Sequence, residues 1–133
     1  GDMEVVVDLL ETKSVTAVGV ECLENMRSWI FFPQQVEIST SLDGKQYTAR
    51  WIIRTDREKD FPDTRERQGE SVVRNFEAVA TEAVGARYVR IKAVNYGKLP
   101  AWHASAGEQA WLFVDEISVH AYPLKGQTNI VEI

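Results

Sequence analysis

The stretch Val36–Arg54, "VEISTSLDGKQYTARWIIR", decides how this chain folds. Val36, Ile38, Thr40 and Leu42 fall on one side of an extended chain, and Glu37, Ser39 and Ser41 fall on the other. A period of two is the signature of a half-buried strand. Asp43-Gly44-Lys45 then interrupts the pattern. Gly44 takes, without a steric penalty, the positive φ that a primed hairpin turn demands, and "QYTARWIIR" returns as the partner strand.

The same grammar continues on both sides. Upstream, "MEVVVDLL" is rich in β-branched residues, ends at the polar turn "ETKS", and is followed by "VTAVGVECL". Downstream come "SVVRNFEAV", then "RYVRIKAV" with Val89, Ile91 and Ala93 on one face, then "LFVDEISVHAY". No segment longer than a turn or two carries a 3.6-residue apolar period. Seven short strands separated by turn residues predict an all-β sandwich or jelly roll. The domain spans residues 1–122, with 123–133 as a C-terminal tail.

Composition narrows the possible functions. The 133 residues suit one domain with a real core, and 44% hydrophobic against 26% charged is ordinary for a globular protein. A net charge of −5 without a basic block argues against nucleic acid and against attraction to anionic membranes. The single cysteine, Cys22, alternates with Val18 and Val20 and reads as a small buried hydrophobe. The chain opens "GDMEVVVDLL", almost directly in a strand, so any targeting segment is expected to have been removed.

The connections carry the functional information. They alternate short (11–14, 43–45, 81–86) and long (24–34, 55–70, 95–110). If consecutive strands run antiparallel, the three long loops share one end of the sandwich. Long loops that persist in a compact domain are often functional. In Arg27–Glu37, "RSWIFFPQQVE", four large apolar residues run together before a proline. Ile30 and Phe32 are expected to lead into the core, and Pro33 to begin the next strand, where a missing N–H is tolerated. Trp29 and Arg27 are left for the rim. Loop 55–70 is mostly charge and reads as solvated.

Loop 95–110, "NYGKLPAWHASAGEQA", sets Tyr96, Trp102 and His103 among turn-forming Gly97, Pro100 and Gly107. Trp111, just ahead of "LFVDEI", is expected in the core. Flat aromatic faces beside amide and charged groups suit a sugar, with its apolar C–H face and polar hydroxyl edge. The candidate ligand-binding residues are therefore Arg27, Trp29, Tyr96, Trp102 and His103. Catalysis has no comparable set. The two histidines, His103 and His120, make no metal-ligand cluster, and no nucleophile elbow or phosphate loop is present. Asp115 and Glu116 are adjacent on a strand and are expected to point to opposite faces.

The runs "VVVDLL", "SWIFFPQQVEISTSLDGKQYT" and "ARYVRIKAVNYGKLPAWH…AWLFVDEISV" resemble the discoidin family. That family is also called the coagulation factor 5/8 type C domain, and it overlaps the family 32 carbohydrate-binding modules. The likeness spans roughly residues 3–122. The narrower run "GKLPAWH…G..AWLFVDEI" is similar to the C-terminal module of bacterial family 20 glycoside hydrolases, the β-N-acetylhexosaminidases or chitobiases, particularly of Bacteroides-like organisms. The resemblance implies an eight-stranded jelly roll that binds glycans through loops at one end. It also implies a parent catalytic domain as partner, and a periplasmic, outer-membrane-associated or secreted bacterial location. The family's structural calcium is held mainly by an N-terminal loop of pattern D…T.W that is absent here. Only Glu116 matches a residual ligand position, so no cofactor is expected. The alternatives are a structural module that packs on the catalytic domain without binding sugar, and a protein or membrane adhesion module.

Overall fold

The computed structural model describes residues 1–55 and 71–124. Most of the charged loop 55–70, and all of the tail beyond Leu124, lie outside the described residues. The elements are β1 (Met3–Glu24), a 3-10 turn (Met26–Ser28), β2 (Gln35–Ser41), β3 (Thr48–Arg54), β4 (Val72–Val94) and β5 (Phe113–Pro123). Every strand pairing is antiparallel, in the order β3-β2-β4-β1-β5.

Five strands replace the predicted seven because two expected turns are not reverse turns. In "ETKS" the chain bulges but keeps its partner. Asp8 pairs with Tyr88 and Lys13 with Ala86, so residues 9–12 stand against Arg87 alone. Leu10 sits at φ 72°, held by its N–H donating to Asp8 Oδ1 at 2.8 Å. On β4, residues 80–83 bulge against Thr16, between the pairs Val15–Val84 and Ala17–Val79. Extra residues bend a strand and change which side chains face inward. The buried set accordingly moves from Val7, Leu9 and Val15 to Val18, Val20 and Cys22.

These bulges fold the sheet over. Residues 3–8 of β1 pair with 88–93 of β4, beside β2 and β3, whereas 13–24 of β1 pair with 72–86 of β4 and with β5. Val36, Ile38, Val89 and Ile91 from the first half, and Val20, Phe76 and Val119 from the second, lie in one buried cluster. The chain is an all-β jelly-roll sandwich. Phe32 joins this core, and its ring meets Phe76 edge-on at 5.7 Å. Full burial of each such side chain contributes about 1.5–3 kcal/mol.

Val36, Ile38 and Thr40 are buried as the alternation requires. Leu42 is not, because β2 ends at Ser41 and Leu42 opens the turn, 65% exposed. That turn is wider than a two-residue primed hairpin. Gly44 does adopt φ 78°, while Asp43 Oδ1 accepts from the N–H groups of Lys45 and Gln46. Cys22 is fully buried, and that burial pushes its thiol up to about 12, well away from reactive thiolate chemistry.

Candidate functional site

Loops 24–34 and 95–110 meet at one end of the sandwich, because the fold-over at the two bulges, not a reversal at "ETKS" or at 81–86, brings the end of β4 back beside the end of β1. The first begins with a cap. The Asn25 side chain accepts from Ser28 N at 3.3 Å, and one 3-10 turn follows. The turn stops at Trp29 in the left-handed region, φ 66°, an uncommon state for a bulky residue. Backbone pairing holds it there. Asn25 and Ile30 exchange both hydrogen bonds, at 2.8 and 3.0 Å. Trp111 N donates to Trp29 O at 2.8 Å, and Phe31 N donates to Trp111 O at 3.1 Å.

Loop 95–110 is tied from within by Asn95, a buried polar residue. Its Oδ1 accepts from Gly97 N and from Gln109 Nε2, each at 2.8 Å, and its Nδ2 donates to Ala110 O at 3.0 Å. Leu99 N to Glu108 O (2.7 Å) and Ala110 N to Gly97 O (2.8 Å) close the two limbs into a ribbon. Gly97 and Gly107 supply its turns at φ 105° and 90°. The loop is therefore an ordered platform.

Between these loops a second apolar cluster forms, apart from the main core. Met26, Phe31, Leu99 and Ala110 are buried in it, with Trp29, Tyr96 and Trp102 packed against them. Phe31 is its hub. Its ring lies 4.7 Å from Tyr96, 6.4 Å from Trp102 and 6.0 Å from His103.

The five predicted residues therefore separate. Arg27 is exposed on the 3-10 turn. Tyr96, Trp102 and His103 gather around Phe31. Tyr96 also lines a hollow of about 250 Å³ with Pro33, Gln34, Gln35, Arg54 and Thr55. His103, expected among the ligand-binding residues, lies inside at 7% exposure. Its Nδ1 accepts from Ser105 N at 2.9 Å, so the proton sits on Nε2 and is donated to Met26 O at 2.7 Å. Both ring nitrogens are spent on backbone, and the residue locks one loop to the other. Trp29 alone of the five opens into a wider hollow of about 320 Å³, lined by Gly1, Glu108, Gln109, Ala110 and Trp111.

Trp111 reverses its expected role. It is 65% exposed, because β5 begins only at Phe113 and Trp111 is held instead by its parallel bridge to Ile30. Its neighbour Leu112 takes the inward position against the main core. Trp111, Glu108 and Gln109 line the hollow beside Trp29 and were not among the residues the sequence singled out for a site. The readable signal was the internal tie of "NYG", where an asparagine two residues before a glycine favours an Asx turn and fixes the loop that carries them.

The acidic pair also departs from expectation. A bulge of β5 at Asp115 breaks the alternation, and Glu116 pairs directly opposite Glu21. Loss of water, then the neighbouring charges of Asp115 and Glu116, hold Glu21 above the ordinary carboxylate value. This group lies on the outer face of the sheet, one row in from the loop end. Among the described residues no group of three or more acidic, imidazole or thiol side chains is arranged to hold a metal ion.

No protein family and no curated protein matches this chain. Among solved structures, a chain described as CpGH89CBM32-6 produced by Clostridium perfringens is similar, with a TM-score of 0.49 and 16% identity, covering 90% of this chain and 69% of that one.

Proposed function

We propose that this domain is a non-catalytic carbohydrate-binding module that holds a glycan against Trp111 and Trp29. The observation that carries the reading is an indole 65% exposed at the mouth of a hollow whose remaining walls include Glu108 and Gln109. A pyranose lays its C–H face on an indole and turns its hydroxyls to carboxylate and amide groups. The ordered backbone ties of both loops support a preformed site, which saves the entropy of arranging it on binding. The finer proposal is that the module serves a β-N-acetylhexosaminidase of the chitobiase type and is exported with it in a bacterium. This rests on the run "GKLPAWH…G..AWLFVDEI".

An open hollow covers one or two sugar rings, so the dissociation constant should be on the order of 0.1–1 mM, about −4 to −5.5 kcal/mol. A glycan array followed by titration calorimetry on the chain tests this. Trp111→Ala should weaken binding about five- to thirtyfold, the loss of about 1–2 kcal/mol of stacking and area. Unchanged affinity in that variant, or hydrolysis of a chromogenic N-acetylhexosaminide by the purified chain, defeats the proposal.

A further inference from the structure

The outer face of the half-sheet formed by the N-terminal part of β4, the C-terminal part of β1 and β5 is ordered in rows by its register. Val73–Leu23–Phe113 make the row nearest the loop end, followed by Asn75–Glu21–Glu116, then Glu77–Gly19–Ser118, then Val79–Ala17–His120. Val73 is 53% exposed and Phe113 47%, with Leu23 half-buried between them. Three apolar side chains thus lie abreast on a solvent face, on strands where polar residues would be the neutral choice.

The next row is unfavourable by itself. Glu21 stands directly opposite Glu116, and like charges facing each other across strands are destabilising. The bulge brings Asp115 to the same point, where it also acts on Glu21. No lysine or arginine occurs in these four rows. Beside them, a hollow of about 310 Å³ is lined by Val114, Asp115, Glu116 and Ile117 of β5, the edge strand among the described residues.

We propose that this face is a protein-docking surface, and that its partner presents an apolar centre flanked by lysine or arginine. An apolar row accepts many surfaces, whereas a repelling carboxylate trio beside it selects a cationic one. A second copy of this chain brings the same carboxylates and no basic group in those rows, so it is not the complement. An anionic lipid surface is repelled by the same charges. The inference stands apart from sugar binding, which uses Trp111 and Trp29.

The test is selection of a displayed random twelve-residue peptide library on the intact chain. Enriched peptides should combine lysine or arginine with apolar residues. Synthetic copies should lose roughly tenfold or more in affinity for Phe113→Ser and for Glu116→Gln, and keep it for Trp111→Ala. Glu116→Gln should also raise the melting temperature, because it relieves the pair with Glu21. Binding and stability moving in opposite directions is not expected of a residue with a purely structural role. The proposal is overturned by peptides without basic residues, by affinity indifferent to both variants, or by no enrichment. Sedimentation showing a dimer that Phe113→Ser dissolves, or a calcium-induced rise in melting temperature that Glu116→Gln abolishes, overturns it too.

Discussion

The main core and the loop-end cluster use the same kinds of side chain and are built differently. In the core, inward residues of paired strands interlock, and Phe32 meets Phe76 between the two halves of a folded sheet. Among the described residues of the loop end no strand ladder organises the packing, only isolated bridges. Phe31 gathers Tyr96, Trp102 and His103, while the ties are backbone bonds and single side chains such as Asn95 and His103. The core spreads its packing over many interlocked side chains. The loop end depends on a few contacts, and that economy leaves Trp111 free to face solvent.

Phe76→Ala and Phe31→Ala probe this difference most strongly. Phe76→Ala should cost about 3–5 kcal/mol in urea unfolding, lost cooperatively across the domain. Phe31→Ala should sit near the lower end, about 3 kcal/mol, since a loop cluster relaxes around a cavity more readily. Hydrogen exchange should then accelerate first in residues 25–31 and 95–111. Equal, domain-wide acceleration in both variants would show that the two clusters are one.

Next in size is His103→Ala. It removes the link between the loops and orphans the Met26 carbonyl and Ser105 N–H, at a cost of about 1–3 kcal/mol. On the proposed function glycan affinity should fall as well, because the loop that carries Glu108 and Gln109 loses its tie to Met26 O. Smaller still is Trp111→Ala, expected within about 0.5 kcal/mol of the parent in stability, whereas half-buried Trp102→Ala should cost clearly more. Thermal melts of the pair rank them, and the reverse order would return Trp111 to the core.

The smallest effects are electrostatic and concern the sandwich surface. The hydrogen bond from Arg87, then that from Leu10 N, hold the Asp8 carboxyl below its ordinary value of 3.8. A folded value lower than the unfolded one stabilises above pH 3.8, and the gain disappears as pH falls through the lowered value. Glu21 is shifted the other way from 4.5, so its charge opposes folding at neutral pH and the penalty lifts as pH falls through the raised value. Melting curves between about pH 2 and 7 should show Asp8→Asn flattening the acid limb and Glu21→Gln gaining stability at the neutral end.

Much of this was readable in the chain. Alternation at Val36, Ile38 and Thr40, and at Val89, Ile91 and Ala93, determined the strands and their buried faces, because a period of two is a local property of extended backbone. Loop lengths pointed to a shared end for 24–34 and 95–110, but bulges rather than the expected reverse turns bring them there. Three things were decided only in three dimensions. Whether "ETKS" reverses the chain or bulges depends on β4 lying alongside it, and local composition is the same in both cases. Whether Trp111 or Leu112 turns inward depends on where β5 begins and on a backbone bridge to Ile30, far away in sequence. His103 became a packing residue because Met26 O was brought within 2.7 Å of its ring. Periodicity reports which side of a strand a residue is on, but tertiary structure decides what waits on that side.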